Sequence, residues 1–172
     1  MMDDLAHRLA VDVRGSFPEL VELIGGRLFS GLRRITGSRE EAEDLTQEAF
    51  IRAFRALNGY PKEQIETLRV EAWMWTIALN LGRNHIRDQA RRPTPVAQVE
   101  VGSVDTDPAD DLVWDSRLGG LGIHQRRAVV LRHVVGLGTG EISEITGRPE
   151  GTVKADIHRA LGKLKNMMEE EQ

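Results

Sequence analysis

Gly136-Leu137-Gly138-Thr139-Gly140-Glu141-Ile142-Ser143-Glu144-Ile145-Thr146-Gly147-Arg148-Pro149-Glu150-Gly151-Thr152-Val153-Lys154-Ala155-Asp156-Ile157-His158-Arg159-Ala160-Leu161-Gly162-Lys163-Leu164 is the stretch on which the reading of this chain turns. Ile142 and Ile145 share one face of a short helix expected over 139–146. Gly147 and Pro149 interrupt it, as turn residues do. Val153, Ile157, Ala160, Leu161 and Leu164 then recur at spacings of three and four, the period of a second helix with a buried stripe, expected over 150–167. Two helices about a glycine-containing turn have the layout of a helix-turn-helix. The outer face of the second presents Thr152, Lys154, Ala155, His158, Arg159 and Lys163. Residues 148–165 hold five Lys/Arg against two acids. Basic residues on an outer face often only solubilise a helix. Here the turn chemistry and the Glu-Ile-x-x-Ile and Gly-Thr-Val-Lys runs favour a helix offered to a major groove, where residues near its start meet base edges or phosphates.

Upstream, the periodicity stays helical. Leu20, Ile24, Leu28, Leu32 and Ile35 mark a helix over 17–36, with Gly37 as its stop. Ser38-Arg39-Glu40-Glu41 reads as a capping box opening another helix, which buries Ala42, Leu45, Ala49, Ala53 and Leu57 and ends near Asn58-Gly59. A third spans about Leu68 to Gln89, with Leu68, Ala72, Trp75, Leu79 and Ile86 inward. Pro93 and Pro95 end it. Residues 93–110 contain four acids, no base and no helical period, and read as a flexible acidic linker. Asp107-Pro108 looks like an N-cap and first helical residue, so helices are expected over 108–118 and 124–135. The Glu169-Glu170-Glu171-Gln172 tail is expected to fray. The expectation is an all-α chain: a helical domain over 1–92, the linker, and a smaller helical domain over 111–172.

Charge narrows the function. The chain has 172 residues and a net charge of −4. Residues 1–92 hold 14 basic and 14 acidic side chains, residues 111–172 hold nine of each, and the imbalance lies between them. A free-standing DNA-binding protein draws its affinity from a basic excess, so this chain is expected to bind DNA poorly alone and to borrow affinity from a partner. No apolar run approaches the ~20 residues that span a bilayer, and the acidic N-terminus lacks a secretion segment, so a cytoplasmic location is expected. The absence of cysteine excludes disulfides, thiolate metal sites and thiol redox sensing. Five scattered histidines give no metal-ligand spacing, and the glycines of 136–140 lack the lysine and preceding strand of a phosphate loop. Neither an enzyme nor a cofactor is expected.

The first domain carries two further surfaces. Residues 40–48 hold five acids and no base, either a solvated helix face or a docking face for a basic partner. Asn80, Arg83, Arg87, Arg91 and Arg92 follow Trp73 and Trp75. Aromatics beside arginines suit melted or single-stranded DNA, while large aromatics are also the commonest core residues.

Taken together these residues resemble the extracytoplasmic-function sigma factors of the sigma-70 family. Gly37-Ser38-Arg39-Glu40-Glu41-Ala42-Glu43-Asp44-Leu45-Thr46-Gln47-Glu48-Ala49-Phe50-Ile51-Arg52-Ala53-Phe54 is similar to that family's region 2 signature, and Ala72-Trp73-Met74 with Ile77-Ala78-Leu79-Asn80 to its promoter-melting helix. Gln125-Arg126-Arg127-Ala128-Val129-Val130-Leu131-Arg132 and Gly151-Thr152-Val153-Lys154 resemble region 4. The resemblance implies a subunit that lends promoter recognition and DNA melting to RNA polymerase core enzyme under an anti-sigma factor. It implies docking to the core through Asp44, Gln47 and Glu48. Asn80, Arg83, Arg87, Arg91 and Trp75 would serve the −10 element, where extruding a base costs a few kcal/mol. Arg132, Thr152, Lys154, Ala155, His158 and Arg159 would serve the −35 element. The acidic linker would lie in a basic channel of the polymerase. Three features depart from the family. Asp156 stands where a basic residue is usual, so either it points away from phosphate or −35 binding is weaker or differently selective. The connection from Gly59 to Glu71 is a few residues longer, close to the −10 reading surface. Gly119, Gly120 and Gly122 replace more typical residues before region 4. Two other readings stay open: a sigma-like adaptor that captures an anti-sigma factor, and a stand-alone helix-turn-helix regulator.

Overall fold

The computed structural model describes the backbone of residues 2–88 and 108–171, and the side chains of 4–82 and 113–171. Every regular element among these is helical, as the apolar periods require. In chain order they are α1 (Met2–Val11), α2 (Val13–Thr36), α3 (Arg39–Gly59), α4 (Lys62–Glu66), α5 (Val70–Asp88), α6 (Pro108–Gly119), α7 (Ile123–Val130) with a π-turn over Leu131–Val135, α8 (Thr139–Thr146) and α9 (Glu150–Glu170). The linker expected over 93–110 falls mostly outside the described backbone and entirely outside the described side chains.

Backbone contacts divide the chain into two compact units, Met1–Phe29 with Glu43–Ser103, and Ser30–Ala42 with Val104–Gln172. The core of the first is the inward stripe of each helix: Leu20, Ile24 and Leu28 of α2, Ala49, Phe50, Ala53 and Leu57 of α3, and Val70, Met74, Trp75, Ala78 and Leu79 of α5 are all buried. Phe17 meets Phe54 edge-on at 5.0 Å between ring centroids, a geometry aromatic pairs favour. Four elements of this unit differ from the sequence reading. The helix expected from 17 begins at Val13, and α1 precedes it, with Leu5 and Leu9 fully buried. The Arg8 guanidinium ties α1 to α2 through a two-pronged contact with Glu19, at 2.9 and 2.6 Å. Part of the long Gly59–Glu71 connection folds as α4, which packs on α1 and buries Ile65. Because α5 starts only at Val70, Leu68 lies in the turn before it, and Leu68 and Ala72 are half-buried rather than inward.

Gly37 adopts a φ of 72°, the left-handed geometry that ends α2 without a Cβ penalty. The Ser38 hydroxyl then accepts from the Glu41 N–H at 3.2 Å, one arm of the expected capping box, while the Ser38 N–H donates to Thr36 Oγ1 at 3.2 Å.

In the second unit Leu118, Ala128, Val129, Val130, Leu131, Val135, Leu137, Ile142, Ile145, Val153, Ile157, Ala160 and Leu164 are buried, and Arg33 pairs with Asp115 at 2.6 Å. The helix expected over 124–135 widens into the π-turn, closed by Gly136 at φ 86° and by a Leu137 N–H that donates to the Leu131 carbonyl at 3.0 Å. Leu161, expected inward, is 44% exposed, because Ile157, Ala160 and Leu164 already fill the stripe that α9 buries. The expected frayed tail is helical to Glu170, and Glu171 just beyond reaches Arg117 at 2.5 Å.

Candidate nucleic-acid interface

The helix-turn-helix is built from backbone partnerships that fix its angle. At the start of α8 the Gly138 N–H donates to Glu141 Oε2 at 2.8 Å. Glycine has no side chain to return the bond, so this is the carboxylate half of a capping box. Gly147, at φ 68°, ends α8 and donates its N–H to the Ser143 carbonyl at 2.9 Å. The Ser143 hydroxyl donates across the turn to the Arg148 carbonyl at 2.7 Å. Pro149 occupies the N-cap of α9, where a missing N–H costs nothing. A side-chain bridge joins the starts of both helices: the Thr139 hydroxyl donates to Glu150 at 2.7 Å. That hydrogen bond first, and then Lys154, hold the Glu150 carboxyl below its ordinary value.

On this frame α9 exposes Lys154, His158, Arg159 and Lys163, with Thr152 and Ala155 half-buried beside them. Thr152, Ala155 and Arg159 follow one another at helical spacing. Arg132 is exposed on the π-turn, and its guanidinium donates to the Leu137 carbonyl at 3.1 Å. Neither Lys154 nor Arg159 is unpaired. Lys154 lies 3.3 Å from Glu150 and Arg159 3.3 Å from Asp156. Asp156 itself is 4% exposed. Its carboxylate turns inward, where Arg148 at 3.0 Å and Arg159 compensate it. The sequence reading counts Arg148 only as one of five basic residues and not as the partner of Asp156. Eight residues separate it from Asp156, and only the turn brings them together.

In the first unit Asp44 is exposed on α3, and Gln47 and Glu48 are half-buried one turn on. Glu48 is paired within the helix to Arg52 at 2.8 Å. Thr46, inside the same motif, is fully buried. On α5 Asn80 is exposed. Arg83 and Arg87 belong to α5, but their side chains, like the whole of Arg91, lie outside the described residues. Trp75 needs correcting: it has 0% exposure and therefore offers no face for a base to stack on. It fills the core between the helices, and its indole N–H has no partner among the described residues. Trp73 is the half-buried member of the pair, tilted against Tyr60 at 6.0 Å.

Among the described residues no group of His, Asp and Glu side chains could hold a metal ion, and no helix is long and apolar enough to cross a membrane.

Two family models match the chain: Sigma-70 region 2 over residues 20–92 and Sigma-70, region 4 over residues 113–164. The ECF RNA polymerase sigma factor SigE of Mycolicibacterium smegmatis is 33% identical over 164 residues, covering 89% of this chain. The chain spans 62% of that relative's length. The ECF RNA polymerase sigma factor SigW of Bacillus subtilis is 26% identical over 172 residues, covering 89% of each protein. Among solved structures, CnrH in complex with the cytosolic domain of CnrY aligns with a TM-score of 0.75 at 24% identity, over 99% of both chains. The sigma factor RpoE of Bartonella quintana, crystallised with the anti-sigma factor NepR, aligns with a TM-score of 0.69 at 20% identity, over 91% of this chain and 98% of that one. At these identities the two structures bear on the fold alone.

Proposed function

Because this chain belongs to the extracytoplasmic-function group of the sigma-70 family, we propose that it is a promoter-recognition subunit of RNA polymerase, without catalytic activity of its own, working in the cytoplasm. The domain over 1–92 docks to core enzyme and opens the −10 element, and the domain over 111–172 reads the −35 element. The observation that carries this reading is the joint presence of the region 2 and region 4 matches on one chain with an α9 that exposes Lys154, His158 and Arg159 in its N-terminal half. The acidic α3 face supports docking to a basic surface through Asp44, Gln47 and Glu48, with Glu48 leaving Arg52 to do so. Exposed Asn80, followed in sequence by Arg83, Arg87 and Arg91, supports capture of an unpaired base with backbone tracking beside it. Trp75 has no part in that surface. Arg132, Thr152, Lys154, Ala155, His158 and Arg159 form the −35 surface.

Two of its cations are already paired with acids, so DNA must displace Glu150 from Lys154. The neutral balance of each domain then makes core enzyme the main source of affinity. An anti-sigma factor that covers these surfaces holds the protein idle.

Two comparisons test the assignment. Asp44→Ala and Gln47→Ala are expected to weaken binding to purified core enzyme while the chain stays folded. Asn80→Ala is expected to leave initial promoter binding intact and to abolish permanganate reactivity of the melted bases. Unchanged core affinity in the first pair, or normal melting in the second variant, overturns the corresponding role.

A further inference from the structure

We infer that Asp156 is a positioning residue for −35 recognition: it links the helix-turn-helix turn to the reading helix and holds the Arg159 guanidinium ready for a guanine edge. The inference rests on the proposed role of α9 in reading the −35 element.

A buried carboxylate is costly unless it is paired and hydrogen-bonded. At 4% exposure, Asp156 meets that condition with two different oxygens. Oδ2 accepts from Arg148 Nη2 at 3.0 Å, and Oδ1 accepts from Arg159 Nη1 at 3.3 Å. The two arginines differ in surroundings. The Arg148 side chain is 31% exposed and is carried by the turn, whereas that of Arg159 is 61% exposed and stands one helical turn beyond Asp156 on α9. Arg148 thus fixes the carboxylate, and the carboxylate fixes Arg159.

An arginine has five N–H donors in a planar fork. Arg159 gives one to Oδ1 and keeps the rest for the groove. A long side chain ordered before binding loses less entropy when it binds. The chemistry that matches a pre-set guanidinium fork in the major groove is the O6 and N7 pair of guanine. An acid in the middle of a DNA-facing helix therefore serves recognition from behind the contact, shielded from phosphate by two cations.

The test uses full-length protein bound to core enzyme, titrated against promoter DNA in which each −35 base pair is replaced in turn. Arg159→Ala is expected to flatten the preference for guanine at one position. Asp156→Asn, which keeps the shape and removes the charge, is expected to reduce the same preference by roughly fivefold or more. Should Asp156→Asn fail to fold, Arg148→Ala carries the test. With Arg148 gone the carboxylate has Arg159 as its sole cation among these three, draws it away from the groove, and lowers the preference at the same base pair. If Asp156→Asn or Arg148→Ala weakens binding to every sequence equally and leaves the preference intact, Asp156 is merely structural and the inference falls. If Arg159→Ala alters no preference at all, the −35 role of Arg159 fails and takes this inference with it.

Discussion

Lys154 stands exposed near the start of α9, with its ammonium 3.3 Å from Glu150. An exposed pair of this kind within a helix contributes little to stability, so Lys154→Ala hardly changes folding. Its effect on DNA is different in kind. If the ammonium neutralises one phosphate, it displaces about one condensed counterion, and the slope of log affinity against log salt carries about −0.9 for that contact. Between about 50 and about 200 mM salt, a fourfold change, one such contact accounts for a factor of roughly 3.5 in affinity. Holoenzyme carrying Lys154→Ala should therefore bind promoter DNA more weakly than the parent at low salt, and the gap should narrow by roughly 3.5-fold at the higher salt. Fluorescence anisotropy of a labelled promoter across a salt series reads both numbers, and a thermal melt of the free protein checks that the fold is unchanged. Parallel lines for parent and variant would refute the reasoning, because they would mean that Lys154 meets no phosphate.

Other predictions concern the frame that holds these side chains. Trp75→Ala should cost ~3–5 kcal/mol in urea unfolding followed by circular dichroism. Trp75→Phe should cost less than half of that, because it also removes a buried N–H that has no partner among the described residues; equal costs would contradict this. Gly162 lies in the exposed interior of α9 with nothing within 4 Å of an added Cβ, so Gly162→Ala should stabilise by ~0.5–1 kcal/mol in the same assay. Glu150 has a depressed pKa, so the stability it contributes is present above the ordinary carboxylate range and is lost as pH falls through the depressed value. Parent protein should therefore lose more stability on acidification than Glu150→Gln, and coincident pH profiles would dismiss the Thr139–Glu150 bridge as a contributor.

The long periodic helices were legible because their apolar stripes are regular. All five residues expected to face inward in α2 and all five in α3 are buried, as is each one named in α8 and α9 except Leu161. The short elements were not. In α1, Leu5 and Leu9 carry an i, i+4 signal, but it covers ten residues beside an acidic start, and its burial depends on packing against α4 that no local pattern displays. Five-residue α4 is too short for a period to declare itself. Trp75 illustrates the ambiguity of a large aromatic beside arginines. Composition fits stacking on DNA and filling a core equally well, and only three-dimensional packing decides between them. Asp156 shows the converse. Its identity was plainly visible as a departure, yet its partner Arg148 lies across the turn, so the meaning of the charge waited for the geometry. Exposure at Asp44, Lys154, His158 and Arg159 followed from helical phase alone, whereas Asn80 was singled out by the arginines that follow it and by the family resemblance.

Start-site selection by reconstituted enzyme tests the account most directly. Purified core polymerase, alone and with this protein, is given a library of promoter templates, and the 5′ ends of the run-off transcripts are sequenced. The account predicts that the protein is retained by core enzyme and that transcripts converge on starts sharing one −10 and one −35 sequence. Retention without any gain in start-site selectivity, or tight and salt-tolerant promoter binding by the protein in the absence of polymerase, would contradict it.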